Sequence, residues 1–222
     1  MDEMIECLTN FGYPLCEGNI MVSNPFWCKT VNEYKNETAR WIEAPGIQNY
    51  MDLAIFFDSF AVAGNKELLI NLKDNLFNKL HDKDVFMAYF AKATLAFDTP
   101  NTVTNIMTKS HIIDIKKTAV FPIVQGIRSL ALKEKIRETT TIKRIKILEN
   151  RKVLEKDKAA ELLEAFDFVN TIRLKSQLFD IQHGKKITNE IDTHTLGKIE
   201  RDLLKDSFKI INEFKRFISY TF

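Results

Sequence analysis

Asp58 has the setting that most needs a chemical explanation. It stands in the run Ala54-Ile55-Phe56-Phe57-Asp58-Ser59-Phe60, and a carboxylate buried among such side chains is costly without a partner. The length and Ile/Phe content of the run predict a buried strand, in which Asp58 shares a face with Ala54, Phe56 and Phe60. Projecting from a sheet edge, this carboxylate would ligate a metal ion or act as a base. If the strand ends there, Asp58 opens a turn instead. A basic tract is the second feature. Residues 109–146 hold ten Lys/Arg (Lys109, Lys116, Lys117, Arg128, Lys133, Lys135, Arg137, Lys143, Arg144, Lys146) against the three acids Asp114, Glu134 and Glu138. Such a tract meets the phosphates of a nucleotide or nucleic acid, or an acidic protein surface. The same composition also serves as a solvated helix face. It lacks the interleaved aromatics on which bases stack, so nucleic acid is not an expected partner. Arg173 and Gln177, four residues apart, share one face of a helix, where they either line a cleft or face solvent.

Other chemistries find no support. His81, His111, His183 and His194 are scattered, with none paired at metal spacing. Cys7, Cys16 and Cys28 make no C-x2-C pair, which argues against zinc. Their odd number argues against a secreted disulfide framework, and they are expected as reduced, half-buried thiols. There is no G-x-S-x-G, P-loop or G-x-G-x-x-G motif. No apolar run approaches the ~20 residues of a membrane span, and Met1–Glu6 is acidic and unlike a signal peptide. A cytoplasmic protein with no membrane partner is expected.

These residues need elements to hold them. Gly and Pro together make only 12 of 222 residues, which disfavours multi-turn all-β folds and makes helix the default. Residues 1–78 carry 5 Lys/Arg and 11 Asp/Glu with 7 of the 12 Gly/Pro, while residues 79–222 carry 27 and 19 with the other 5. Two differently built parts follow, with a boundary near residue 80. In the first, helices are expected at residues 2–10, Val31–Glu43 and Lys66–Leu80, around the strand that bears Asp58. In the second, helices are expected over Asp84–Phe97, Thr118–Glu134 with Pro122 in its first turn, and Thr139–Glu149 capped by its Thr run. Asp157 caps a long helix to His183 with a stripe Leu162, Phe166, Val169, Ile172 and Phe179. Thr195 caps the last helix, with Ile199, Leu203, Ile210, Phe214 and Phe217 on one face. Residues 102–117 stay ambiguous, with an extended option at Ile112–Lys116. Stripes of this kind bury against neighbouring helices and predict a bundle.

The order of short motifs adds a family likeness. Gly12-Tyr13-Pro14-Leu15-Cys16-Glu17-Gly18-Asn19-Ile20-Met21, Ser23-Asn24-Pro25-Phe26-Trp27, Trp41-Ile42, Ile55-Phe56-Phe57-Asp58 and Gly64 follow one another through the first part. In the second come Asp114-Ile115-Lys116, Pro122-Ile123-Val124, Arg128, Leu130-Ala131-Leu132, Thr141, Arg144, Leu162-Leu163-Glu164-Ala165-Phe166, Arg173-Leu174, Gln177, Arg201 and Leu204-Lys205-Asp206. Over essentially its whole length the chain resembles the nucleotidyltransferases that follow paired cystathionine-β-synthase-type sensor domains in bacterial signalling proteins, relatives of the protein-PII uridylyltransferase.

The resemblance implies a mainly α fold: an incomplete α/β nucleotidyltransferase-like remnant over residues 1–78, then a C-terminal helical bundle over residues 79–222. It implies transfer of a nucleoside monophosphate to a hydroxyl of a signalling protein or small molecule. By family position Asp58 is the third catalytic carboxylate and a ligand of Mg²⁺, and Lys116, Arg128, Arg144, Arg173 and Gln177 face the nucleoside triphosphate or the acceptor. Such active sites need a Gly-Ser motif to seat phosphates and a D-x-D pair for the two metals. This sequence has no Gly-Ser dipeptide, and its only D-x-D is Asp82-Lys83-Asp84 at a helix start. Phe60 stands where the family usually has Arg. The chain is therefore expected to be the C-terminal portion of such a protein and inactive alone, with Mg²⁺ belonging to the complete parent. The alternative is a non-catalytic docking or regulatory module for a partner protein. A sheet edge left by missing strands is expected to favour a homodimer.

Overall fold

The structure, a computed structural model, describes residues 2–44, 46–96, 98–100 and 111–222. It is mainly α, as expected. The chain divides into two compact units, one of residues 1–53 and 60–81, the other of residues 54–59 and 82–222. The boundary drawn from composition lay at residue 78. Lys109, residues 102–110 and the Phe97 end of the expected helix lie outside the described residues.

The first unit holds α1 (Asp2–Asn10), a 3₁₀ turn at Pro25–Trp27, α2 (Val31–Glu43), most of α3 (Ile47–Asp58) and α4 (Lys66–Lys79). Thr30 and Glu33 start α2 as a capping box: the Glu33 N–H donates to Thr30 Oγ1 at 3.3 Å, and the Thr30 N–H donates to Glu33 Oε2 at 2.7 Å. Phe26, Trp27 and the fully buried Trp41 meet at ring-centroid distances of 5.1–6.4 Å. The three cysteines are exposed rather than half-buried, and among the described residues none forms a disulfide.

The α/β remnant expected here is helical instead: among the described residues of this unit there is no strand. Ala54–Phe60 is not a strand but the last turns of α3 with two irregular residues behind them. Leu53, Ala54, Phe56 and Phe57 are buried, while Met51 and Phe60 are exposed. Burial at i, i+1, i+3 and i+4 is a helical stripe, and strand alternation would have buried Ala54, Phe56 and Phe60 together. The sheet edge expected there to favour self-association therefore has no strand behind it among the described residues of the first unit.

The second unit is built around α6 (Phe121–Lys133). This helix is entered through a π-helical turn at Lys116–Val120 and carries Pro122 in its first turn. Pro122, Ile123, Gln125–Ile127 and Ser129–Leu132 are all buried. Around it stand α5 (Asp84–Lys92), α7 (Thr141–Asn150), α8 (Lys156–Gln182) and α9 (Lys198–Thr221). The extended option at Ile112–Lys116 is realised at β1 (Ile112–Asp114), which pairs antiparallel with β2 (Glu190–Asp192), Ile113 opposite Ile191. Both of these isoleucines are buried.

Two helix starts differ from the expected ones. α8 begins at Lys156, so Asp157 falls inside its first turn instead of capping it. α9 begins after Gly197, whose N–H donates to Glu200 Oε2 at 3.1 Å, while the Thr195 hydroxyl donates to the Asp192 carbonyl in the preceding turn. The buried stripe of α9 is Leu204, Ser207, Phe208, Ile211, Phe214 and Ile218, so Ile199 and Leu203 stand exposed. Phe179 of α8 is exposed as well.

Gly126 lets α9 come close to α6. A Cβ there would lie 2.5 and 2.8 Å from two ring carbons of Phe214 and 3.1 Å from Ile218 Cγ1. Both partners are buried and hemmed in, and overpacking of this kind costs about 1–3 kcal/mol. Gly126→Val is expected to lower the thermal midpoint by several degrees in calorimetry. An unchanged midpoint would show that the two helices can move apart freely.

Candidate functional site

The last turn of α3, α6 and α7 bring three charged side chains together within the second unit. Asp58 is the final residue of α3. Its Oδ2 accepts from Arg128 Nε at 2.9 Å and Nη2 at 2.5 Å, and its Oδ1 accepts from Arg144 Nη1 at 2.6 Å. Both carboxylate oxygens are therefore held by guanidinium groups, the charge-assisted arrangement that arginine's planar fork favours.

Each arginine is held from behind. Arg128 Nη1 donates to Gln125 Oε1 at 2.6 Å, and the amide of Gln125 donates to the Phe90 carbonyl at 3.0 Å. Arg144 Nε donates to the Glu138 carbonyl at 2.5 Å, and its guanidinium lies 4.5 Å from the centre of the Phe57 ring. The Arg144 side chain is only 1% exposed, against 15% for Arg128 and 27% for Asp58. Burial pushes the Arg144 guanidinium below the usual arginine range; the Asp58 carboxylate works in the opposite direction and the Arg128 charge adds to the lowering. Arg144 Nη2 is buried and has no hydrogen-bond partner among the described residues.

The basic tract resolves into two populations. Lys116, Lys117, Lys133, Lys135, Arg137, Lys143 and Lys146 are exposed, whereas Arg128 and Arg144 turn inward. Lys116 opens the π-helical turn. Arg173 and Gln177 are half-buried and reach one loop: Arg173 Nε donates to Asn189 Oδ1 at 2.8 Å, and Gln177 Nε2 donates to the Thr188 carbonyl at 3.3 Å. The Asn189 carbonyl accepts from the Ile115 N–H at 3.0 Å. These two residues thus clamp the start of β2 beside the end of β1, and they make no bond to the Asp58 cluster.

Gln125 and Asn189 had no place in the sequence reading, and Glu138 stood there only as one of the acids of the basic tract. Gln125 carried a faint signal, a polar residue one turn before Arg128 in a mostly apolar helix. Glu138 takes over the role expected of the threonines: its Oε1 accepts from the Thr139 N–H at 2.8 Å, the Thr140 N–H at 3.0 Å and the Thr140 hydroxyl at 2.7 Å. Thr140 is the N-cap of α7 without a side-chain cap bond of its own.

Among the described residues no group of three or more His, Cys, Asp or Glu is arranged to hold a metal ion. The one carboxylate of the cluster already has both oxygens on guanidiniums, so the residues present do not fit Mg²⁺. No helix among the described residues is long and apolar enough to cross a membrane.

Residues 84–222 match the family model described as "Putative nucleotidyltransferase substrate binding domain", and residues 1–48 match one described as "Putative nucleotidyltransferase". The first match spans more than half of the chain, and the chain belongs to this nucleotidyltransferase family. Lys116, Arg128, Arg144, Arg173 and Gln177 fall within the substrate-binding match, while Asp58 lies between the two matched segments. Searches of curated proteins and of solved structures gave no match.

The cap on α7 titrates. The Glu138 carboxyl is held at about 2, well below the ordinary 4.5, chiefly by the Thr140 N–H and hydroxyl, with the Thr139 N–H and Lys143 assisting. A carboxyl lowered in the folded state stabilises it above the unfolded value, and the gain is lost as pH falls toward the folded one. The stability difference between the native chain and Glu138→Gln is therefore expected to be full at pH 6–7 and to shrink from about pH 4.5 to about 2. Denaturant midpoints across that range check it; a constant difference would contradict the assignment.

Proposed function

We propose that the second unit receives the polyphosphate of a nucleoside triphosphate for a nucleotidyltransferase that passes a nucleoside monophosphate to a hydroxyl of a signalling protein or small molecule. The reading rests on one observation: two inward arginines, one fully buried, share a single carboxylate. That leaves a positive charge for an anion. Lys116 adds an exposed cation, and Arg173 and Gln177 serve by holding the Thr188–Asn189 loop.

Mg²⁺ belongs to a complete active site with its Gly-Ser and D-x-D motifs. The chain by itself binds without transferring. Family membership supports the general class of reaction, and the sequence, which lacks both motifs in that arrangement, supports inactivity.

A docking module is the second reading. Leu174, Leu178 and Ile181 favour it, forming an exposed apolar stripe on α8.

One assay addresses both. The purified chain is incubated with Mg²⁺ and α-labelled nucleoside triphosphates, and then filtered. Label should be retained, none should become covalently attached to an acceptor, and Arg128→Gln should weaken retention at least tenfold. No retention by the native chain would overturn nucleotide binding in favour of docking. Covalent transfer would overturn inactivity.

A further inference from the structure

Asp58 is bonded where a ligand of this site would be expected to sit. Of the first 81 residues only Ala54–Ser59 belong to the second unit, and that short piece carries, one residue before its end, the carboxylate that engages Arg128 and Arg144. Asp58 is poorly placed by its own helix, because the C-terminal end of α3 directs carbonyl oxygens and the negative end of the helix dipole toward it. What keeps it there is the arginine pair.

The match between seat and occupant is incomplete. Two guanidiniums face one carboxylate, and the buried Nη2 of Arg144 has no acceptor among the described residues. Glu138, the other carboxylate that bears on Arg144, is already engaged by Thr139, Thr140 and Lys143. An occupant with more oxygens and more negative charge would satisfy this donor set better than Asp58 does. The occupant can also leave: Asp58 is 27% exposed, and residues 59–65 behind it are not helical, so its withdrawal unwinds only the end of α3.

We infer that Asp58 is an internal stand-in for an anion, and that a polyphosphate tail binds this unit by displacing the Asp58 carboxylate from Arg128 and Arg144. The inference rests on the proposed polyphosphate binding and adds its regulation: the chain carries its own competitor, which keeps the arginines paired while the seat is empty and sets a threshold for the ligand. An anion with a single negative charge does not outcompete a tethered carboxylate, whereas a chain of phosphates does.

Calorimetric titration of the full chain with inorganic tripolyphosphate, in the absence of metal, tests this. Asp58→Asn, which keeps the shape and removes the charge, is expected to bind at least tenfold more tightly than the native chain, and Arg128→Gln more weakly. Equal or weaker binding by Asp58→Asn overturns the inference while polyphosphate binding stands. An absence of binding by both the native chain and Asp58→Asn overturns that reading and the inference together. Hydrogen exchange on the native chain provides a readout free of folding defects in the variants. Saturating tripolyphosphate should speed exchange at the Phe57, Asp58 and Ser59 amides while slowing it around Arg128 and Arg144. Added protection at all of these would show that Asp58 stays in place, and would overturn the inference.

Discussion

One carboxylate shared between two guanidiniums organises the second unit. Asp58 stands at the end of a helix that disfavours negative charge by about 0.3–1 kcal/mol, and it follows the buried Phe56 and Phe57. Arg144 is more deeply buried still. Desolvating an unpaired ion costs several kcal/mol, and the Asp58 carboxylate offsets that cost for the buried Arg144 guanidinium. The neighbouring elements hold this pair in register. α6 presents Arg128 with Gln125 bracing it against Phe90, and α7 presents Arg144 from a helix whose start Glu138 secures. The close approach of α9 at Gly126 fixes the neighbouring position on α6.

Lysine and arginine divide the labour within the basic tract. The exposed cations are mostly lysines, whose compact, strongly hydrated charge is best left in water. Two of the three arginines of the tract turn inward, where a planar fork can satisfy a carboxylate and stack on Phe57. The tract is therefore a solvated face from which Arg128 and Arg144 turn inward to a carboxylate.

Much of the helical bundle was legible, because Leu162, Val169 and Ile172 repeat with a helical period and Pro122 marks a helix start. The failures have identifiable causes. Ala54–Phe60 is short and almost wholly apolar, so periodicity alone could not separate a buried strand from the end of a helix; Met51 and Leu53 upstream decided it. Of the stripe expected on α9, Phe214 is buried, whereas Ile199, Leu203 and Phe217 are exposed, because an amphipathic helix can present apolar residues on the edge of its polar face. Asp58 stood out in the sequence for the right reason, as a carboxylate in need of a partner. That its partners would be Arg128 and Arg144, 70 and 86 residues away, was not visible in local spacing. Glu138 was hidden by three threonines beside it that looked like better caps.

The account stands on the coupling between Asp58 and its buried partner, and a double-mutant cycle measures that directly. Unfolding free energies of the native chain, Asp58→Asn, Arg144→Met and the double variant give the interaction term. A buried, hydrogen-bonded charge pair predicts that each single change destabilises and that the double variant recovers at least about 1.5 kcal/mol relative to their sum. Effects that simply add, within about 0.5 kcal/mol, would mean that the two side chains do not depend on each other, and the account built on them would be wrong.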